Sequence, residues 1–276
     1  MSNNRDIPVL SVRGLGVSYG DVQAVRGISL DVRPGEVVGL VGESGSGKSS
    51  VLRAVVGLLG ASGRVDTGEV AFCGERIDVT SRKRMAALRG AGIAYVFQDA
   101  AASLDPLSKI GAQFDECLRV HGVARGASAR EIERAMLADM GFDDANRVLS
   151  SFPHELSGGM CQRAVLAMSA ALSPKLLLAD EPTSALDVAS QNQVLNLLAR
   201  LRDESGCAML VVTHNIAAVS RIADRIGVMR SGELVELGER DQVLYAPRHW
   251  YTRELIAAIP RANGMLPGSG FVDKDN

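Results

Sequence analysis

Short apolar runs separated by amphipathic segments dominate the chain, and this pattern predicts a mixed α/β fold. Residues 9–13 and 28–32 alternate apolar and polar side chains, which is typical of half-exposed antiparallel strands. The run at 36–41 has no polar side chain after Glu36 and predicts a strand that is buried on both faces. Other apolar or glycine-bounded runs predict strands at residues 68–74, 93–97, 175–181, 207–213, 226–229 and 234–237.

A long helical stretch interrupts this alternation. From Lys109 to about Leu172 the apolar residues recur at helical spacing, with no convincing strand, so we interpret it as a helical insertion in the α/β core. The glycine-rich, charged end from Gly264 to Asn276 is predicted to be disordered. Further helices are predicted at residues 50–56, 81–89, 189–204 and 241–259, the last broken by Pro247. Another helix follows His214 and is predicted to end near residue 223.

Composition and charge narrow the class of protein. Of the 276 residues, 46% are hydrophobic and 22% are charged, which is ordinary for a soluble globular chain. The net charge of −2 gives no support for nucleic-acid binding. No apolar run approaches the roughly 18–20 residues that span a bilayer, and the first residues lack the apolar core of a signal peptide. We therefore expect a cytosolic chain whose membrane role, if any, passes through a partner subunit.

The four cysteines are widely separated and form no C-x-x-C pair, which argues against a disulfide framework, a zinc site or an iron–sulfur cluster. Buried free thiols are the predicted state. The cysteines are Cys73, Cys117, Cys161 and Cys207.

A glycine-rich loop lies between the predicted strand at 36–41 and the helix at 50–56. Its sequence is Gly42-Glu43-Ser44-Gly45-Ser46-Gly47-Lys48-Ser49, which fits the phosphate-loop pattern G-x-x-x-x-G-K-[ST]. Backbone N–H groups and a helix N-terminus would face an anion there, Lys48 would reach the β- and γ-phosphates, and Ser49 would hold Mg²⁺. A glycine turn that binds nothing is the weaker interpretation in this context. The residues expected at the nucleotide are Gly42, Ser44, Gly45, Gly47, Lys48, Ser49 and Ser50.

Two acids close the predicted strand at 175–181. Ligands of open α/β sheets bind beyond the carboxyl ends of parallel strands, so Asp180 could hold the Mg²⁺ ion and Glu181 could polarise the attacking water. Without the phosphate loop, two exposed acids at a strand end would be the default interpretation. With it, Asp180 and Glu181 become the predicted metal ligand and catalytic base.

A second glycine-lined helix start lies in the helical insertion. Ser157 precedes Gly158 and Gly159 and is a candidate N-cap, with a helical pattern continuing behind it. Such a terminus is a second anion site. The residues alone do not say whether both sites hold the same phosphate.

Taken in order, these motifs resemble the ATP-binding subunits of ABC transporters. The resemblance spans residues from about 9 to 260. Gly42–Ser49 matches Walker A, Gln98 the Q-loop, Leu176–Glu181 Walker B, residues 184–187 the D-loop and His214 the switch histidine. Leu156–Met160 matches the signature motif LSGGQ, with Met160 in the place of the glutamine.

The resemblance implies a head-to-tail dimer in which ATP on one subunit is completed by Ser157, Gly158 and Gly159 of the other. Gln98 would contact Mg²⁺ and the attacking water, and His214 would hydrogen-bond the γ-phosphate. Asp187 would reach across the dimer. Since every catalytic position is intact, an active ATPase is expected.

Tyr19 has two interpretations. From the pattern alone, a strand aromatic packing on the core is the commoner fate. Tyr19 falls where the family places the aromatic residue that stacks on adenine, and the resemblance therefore favours that role.

The resemblance also implies the organisation of the chain. The fold would be an ABC-type P-loop NTPase, with a RecA-like and antiparallel β core over residues 1–98 and 173–240. A helical subdomain would occupy about 99–172. Residues 241–276 would form a short C-terminal extension with a flexible tail.

Several segments resemble the dipeptide, oligopeptide and nickel importer branch, among them Ser103–Pro106, Pro153–Met160 and Ala246–Leu255. The branch usually has His-Pro-Tyr-Thr where this chain has His249-Trp250-Tyr251-Thr252. The short end after Thr252 leans towards the nickel and metallophore members.

Such a subunit would hydrolyse ATP with Mg²⁺ at the cytoplasmic face of the cell membrane as a peripheral subunit. Its partners would be a second ATPase subunit, homologous or identical, two transmembrane permease subunits and an extracytoplasmic substrate-binding protein, with no nucleic acid. One alternative is an exporter subunit, which a requirement for a substrate-binding protein would exclude. The other is a soluble ABC ATPase acting on nucleic acid or ribosomes, which a salt-sensitive nucleic-acid affinity would favour.

Overall fold

Two β-sheets organise the chain in the computed structural model, which describes residues 7–184 and 186–258. In chain order the strands are β1 Leu10–Tyr19, β2 Val22–Val32, β3 Val37–Val41, β4 Gly63–Phe72, β5 Glu75–Ile77, β6 Ile93–Val96, β7 Leu176–Asp180, β8 Ala208–Thr213, β9 Arg225–Arg230 and β10 Glu233–Glu239. The helices are α1 Lys48–Val55, α2 Arg82–Leu88, α3 Ile110–Val120, α4 Ala127–Asp139, α5 Ala145–Ser150, α6 Gly158–Ala171, α7 Val188–Ser205, α8 Ile216–Val219, α9 Arg240–Tyr245 and α10 Trp250–Ala257.

The larger sheet has the strand order β10-β9-β3-β8-β7-β6. Its strands from β9 to β6 are parallel, and only β10 runs antiparallel to its neighbour. Val41 pairs with Thr213, and Asp180 pairs with Val212. This register brings the carboxyl ends of β3, β7 and β8 to one edge of the sheet, where ligands bind in open α/β folds.

The central strands are continuously apolar because they lie between two apolar clusters. Val37, Leu177 and Met209 belong to one cluster, whereas the next residues in the chain, Val38, Leu178 and Leu210, belong to the other. Successive side chains of a strand point to opposite faces, so both faces must be apolar. The first cluster continues into helices α3 to α6, and the second fills the space towards α1 and the smaller sheet.

The smaller sheet is antiparallel, with the order β2-β1-β4-β5. Its first two strands form one long hairpin, so the predicted strands at 9–13 and 28–32 are both too short. The reason is a break in the alternation, because β1 shifts register between Val12 and Val17 and Gly14 has a φ of +58°. The strand β5 was not predicted, and α8 is shorter than the helix expected to end near residue 223.

The mixed α/β fold with a helical insertion is nevertheless as predicted. Helices α3 to α6 occupy the interval between β6 and β7, where no strand was expected. In the part of the chain that the structure describes, no helix has both the length and the hydropathy to cross a membrane. The predicted disorder at 264–276 and the predicted helix end at 259 lie outside the described residues.

The thiol prediction is partly wrong. Cys161 and Cys207 are buried free thiols as expected, but Cys117 is only partly buried and Cys73 is exposed. Cys73 lies in the turn between β4 and β5, outside both strands, with a φ of +51°.

Candidate nucleotide-binding site

The phosphate loop joins the end of β3 to the start of α1 and is tightly enclosed by its own chain. A Cβ on Gly42 would lie 2.2 Å from the Met229 carbonyl oxygen, and one on Gly47 would lie 2.3 Å from the Ala24 carbonyl oxygen. Gly47 also has a φ of +99°, which an L side chain rarely adopts. Only glycine fits at these two positions, which explains the spacing seen in the sequence.

Lys48 is the first residue of α1 and its ammonium group points back into the loop. Its Nζ donates to the carbonyl oxygens of Gly42 at 2.8 Å and Glu43 at 2.7 Å. Burial lowers the pKa of Lys48, against the opposing effect of the Glu181 and Asp180 carboxylates. A desolvated cation at the N-terminus of a helix is suited to a phosphate group.

Asp180 ends β7 beside this loop and is fully buried. One carboxylate oxygen accepts from the Ser49 hydroxyl at 2.7 Å, and the other from the Tyr95 hydroxyl at 3.1 Å. Burial and the Asp180 charge raise the pKa of Tyr95, so the phenol keeps its proton and donates it. The structure therefore brings two of the three predicted metal ligands, Ser49 and Asp180, into direct contact.

Glu181 is held in an unusual backbone conformation next to Asp180. Its φ is +52°, although it is not a glycine, and its side chain is nearly buried. One carboxylate oxygen accepts from the backbone N–H of His214 and also lies 2.9 Å from the Nδ1 atom of the His214 ring. The other accepts from the Thr213 hydroxyl at 3.2 Å. Left-handed backbone at a non-glycine residue costs roughly 1–3 kcal/mol and persists where several contacts hold it.

The contact between Glu181 and His214 determines what the imidazole can do. A carboxylate only accepts, so Nδ1 must carry the proton in this arrangement. Nε2 is then an acceptor in the neutral ring and a donor only in the protonated ring. The side chain of His214 is 64% exposed, which leaves it accessible to a ligand outside the sheet edge.

The residues present fit a magnesium–nucleotide complex. Asp180 is a buried carboxylate without an ion-pair partner among the described residues, and its contacts are two hydroxyl groups. No cluster of three or more His, Cys, Asp or Glu that could bind a metal occurs in residues 7–184 and 186–258. A cation at Ser49 and Asp180 would therefore need phosphate oxygens and water as its other ligands, which is the usual environment of Mg²⁺.

Gln98 and Tyr19 lie at the margins of this arrangement. Gln98 is exposed just beyond the end of β6, in a cavity of about 300 Å³ that it shares with Arg53, Phe97 and Asp99. Tyr19 ends β1 half-buried, and its ring packs so closely over Gly63 that a Cβ there would lie 2.9 Å from it. Both interpretations of Tyr19 remain compatible with this partial burial.

Other predicted nucleotide contacts are not joined to the loop. Ser157 caps α6 by accepting from the Met160 N–H at 3.2 Å, and Asp187 caps α7 by accepting from the Ser190 N–H at 2.9 Å. The Ser190 hydroxyl also donates to Asp187, and the two donors of Ser190 lower the pKa of Asp187. Within residues 7–184 and 186–258, no hydrogen bond links Ser157, Gly158 or Gly159 to the phosphate loop. Cys161 is buried behind this helix start, and burial raises the pKa of its thiol.

Sequence reasoning missed two polar partners of the site. Tyr95 binds Asp180, and Thr213 binds Glu181. Both lie within the last residues of predicted strands, β6 and β8, whose carboxyl ends were expected at the same edge. Their hydroxyl groups in otherwise apolar strands were the available signal.

Comparison with known proteins identifies this arrangement. Residues 25–184 match the family model described as ABC transporter. The chain is 42% identical over 256 residues to the dipeptide transport ATP-binding protein DppD of Escherichia coli (strain K12), which covers 91% of this chain and 78% of that protein. It is also 42% identical over 266 residues to the peptidoglycan transport ATP-binding protein YejF of Agrobacterium fabrum, covering 95% of this chain but only 49% of that protein. This chain thus spans about half the length of the Agrobacterium relative.

A solved structure is similar over most of the fold. The ATP-binding cassette MJ0796, in a dimeric post-hydrolysis state bound to ADP and Pi, superposes with a TM-score of 0.73 and 28% sequence identity. The match covers 84% of this chain and 98% of that chain.

Proposed function

The chain belongs to the ABC transporter family of ATP hydrolases, and from this premise we propose that it is the ATP-binding subunit of a membrane importer of peptides. The proposal of ATP hydrolysis rests on the edge of the larger sheet, where Lys48, Asp180 and Glu181 lie close together. The importer and its peptide class rest on the relatives, several of which are named for dipeptide or oligopeptide transport.

ATP would bind with its phosphates in the loop between β3 and α1. The Lys48 ammonium compensates phosphate charge, and the N–H groups at the start of α1 donate to phosphate oxygens. Ser49 and Asp180 would hold Mg²⁺, which neutralises charge on the β- and γ-phosphates when bound. Tyr95 fixes the orientation of the Asp180 carboxylate by its hydrogen bond.

Glu181 would orient the attacking water and accept its proton. The water oxygen forms a bond to the γ-phosphorus while the bond to the β-phosphate oxygen breaks, so ADP and phosphate leave. His214 and Thr213 hold the Glu181 carboxylate in place. Gln98, exposed beyond β6, would contact the cation and the attacking water.

The start of α6, the second predicted anion site, would serve the ATP site of a neighbouring subunit. The start of α6 presents Gly158 to solvent and is not hydrogen-bonded to the phosphate loop of its own chain. A second, homologous or identical subunit would close its own equivalents of Ser157, Gly158 and Gly159 on the γ-phosphate bound by this chain. Asp187 of this chain would contact the facing subunit. Tyr19 would stack on the adenine.

The remaining partners follow from the importer assignment. Two permease subunits would form the membrane path, and an extracytoplasmic binding protein would deliver the cargo to this peripheral subunit at the cytoplasmic face. Peptides are preferred over nickel or a metallophore because dipeptide and oligopeptide carriers occur among the named relatives. Stimulation of ATPase activity by a peptide-loaded binding protein, but not by a nickel-loaded one, would support this choice.

Replacing Glu181 tests the hydrolytic mechanism. The E181Q variant keeps the side-chain shape but loses the base, so turnover by the assembled complex should fall by about a hundredfold or more. ATP affinity should stay within about twofold, because Glu181 does not contribute to the phosphate loop.

The matched control is Glu233→Gln, which makes the same change at an exposed residue of β10. E233Q should hydrolyse ATP at the wild-type rate. Full turnover by E181Q would refute the assigned role of Glu181.

A further inference from the structure

The helix α10 reaches the phosphate loop from the far end of the chain. The hydroxyl oxygen of Tyr251 accepts a hydrogen bond from the backbone N–H of Glu43 at 3.2 Å, across a separation of 208 positions. Tyr251 is 3% exposed, whereas Glu43 on the other side of the contact is exposed. Burial raises the pKa of Tyr251, and the phenol therefore stays protonated.

A buried carboxylate places α10 for this contact. Glu236 of β10 accepts from the backbone N–H groups of Arg248 at 2.9 Å and His249 at 3.0 Å. Burial opposes its ionisation, but these donors, together with the Gln242 side chain, outweigh that effect and lower the pKa of Glu236. The His249 ring then caps the helix by accepting from the Tyr251 N–H at 3.2 Å.

A stacked arginine gives α10 a second connection to the loop. The Arg230 guanidinium lies 4.3 Å from the centre of the Trp250 ring and 5.2 Å from that of Tyr251. Arg230 ends β9, and the turn after it donates from the Gly232 N–H to the Ser46 carbonyl oxygen at 3.1 Å. Both routes from α10 therefore end on residues of the phosphate loop.

The peptide group that Tyr251 holds is also one that positions Lys48. The Glu43 N–H and the Gly42 C=O belong to the same planar peptide unit. Tyr251 binds the N–H side of this unit, and Lys48 Nζ donates to its carbonyl oxygen at 2.8 Å. Rotation of the unit would break both hydrogen bonds together.

We propose that Tyr251 is a positioning residue for nucleotide binding, which fixes the Gly42–Glu43 peptide and through it the Lys48 ammonium. On this basis α10 forms the rear wall of the phosphate site. The inference rests on the proposed role of Lys48 in binding ATP. Tyr251 itself does not touch the reacting atoms.

The test is Tyr251→Phe, which keeps the ring beneath Arg230 and removes only the hydroxyl. The ATP affinity of the dilute chain should fall about three- to tenfold, the effect of losing the hydroxyl that bonds the backbone and side chain of Glu43. In the assembled complex KM for ATP should rise by a similar factor while kcat stays within about twofold, because Glu181 is untouched. Hydrogen exchange of the Glu43 amide in the nucleotide-free chain should accelerate, with β3 unchanged.

The matched control is Tyr245→Phe, the same change at a tyrosine of α9 that is 56% exposed. Y245F should behave as the wild type in all three measurements. A lower melting temperature for Y251F with unchanged ATP affinity and unchanged Glu43 exchange would overturn the proposal, since it would indicate a merely structural role. Lys48→Ala separates the two levels of inference, because retention of ATP affinity by K48A would refute the nucleotide site itself. Loss in K48A without loss in Y251F would refute the role of Tyr251 alone.

Discussion

The starts of α1 and α6 are both glycine-lined helix N-termini, but the chain builds them in opposite ways. At α1, added Cβ atoms would collide with the carbonyl oxygens of Met229 and Ala24, and Tyr251 holds the loop from behind. At α6, a Cβ on Gly158 would meet nothing within 4 Å, and the terminus is held by the Ser157 cap.

The two helix starts differ in whether their own chain requires a glycine. Gly47 is required by its own chain, because both its φ and its surroundings exclude a side chain. Gly158 has helical backbone and open space around it, so nothing in its own chain requires glycine. Under the proposed shared site, a need for glycine at α6 would come from the neighbouring subunit.

The comparison is tested most strongly by Gly158→Asp. The added carboxylate should be tolerated by the helix N-terminus of the isolated chain, where negative charge is favourable. In the assembled complex it would repel the γ-phosphate, and hydrolysis should fall by about a hundredfold, as when a transition-state donor is lost. ATP binding by the dilute chain should not change.

The control for this variant is Ala127→Asp, which adds the same charge to the first residue of α4. A127D should keep its ATPase activity. If G158D hydrolysed ATP normally in the complex, or lost ATP binding as a dilute chain, the division of the site between two subunits would be wrong.

Gly47→Ala tests the other member of the pair, with a smaller expected effect. Forcing a side chain into the left-handed region against the Ala24 carbonyl should weaken ATP binding by the dilute chain about five- to a hundredfold, from a strain of roughly 1–3 kcal/mol. Titration calorimetry would measure it. Gly45→Ala is the matched control, since Gly45 has a φ of +80° but nothing within 4 Å of its Cβ, so its loss should be smaller. Equal losses would show that collision plays no part.

The reactivity of the cysteine thiols measures how firmly the start of α6 is held, without any substitution in the site. Although Cys161 lies near the helix N-terminus at α6, burial raises the pKa of its thiol, so it should react slowly with a maleimide. Exposed Cys73 should react first, and its modification should leave ATP affinity unchanged. Mass spectrometry of peptides at timed intervals would measure this order. Rapid labelling of Cys161 would mean that α6 opens readily and is less firmly held than its cap suggests.

Much of the fold was predictable because local patterns express it directly. Continuous apolar runs predicted β3, β6, β7 and β8, since strands between two apolar layers must be apolar on both faces. The hairpin of β1 and β2 was underestimated because Gly14 and a register shift break the alternation. Such bulges depend on pairing with a distant partner, β4, as well as on the local residues.

The candidate site divides in the same way. By itself, the sequence determined the phosphate loop, the acids after β7, the capped start of α6 and their order, because each is a short motif whose spacing carries its chemistry. Only the tertiary structure decided that Tyr95 holds Asp180, that His214 and Thr213 hold Glu181, and that Tyr251 supports the loop. Each of these contacts joins residues that are far apart in the chain, and local periodicity carries no information about which distant side chain will complete a hydrogen bond.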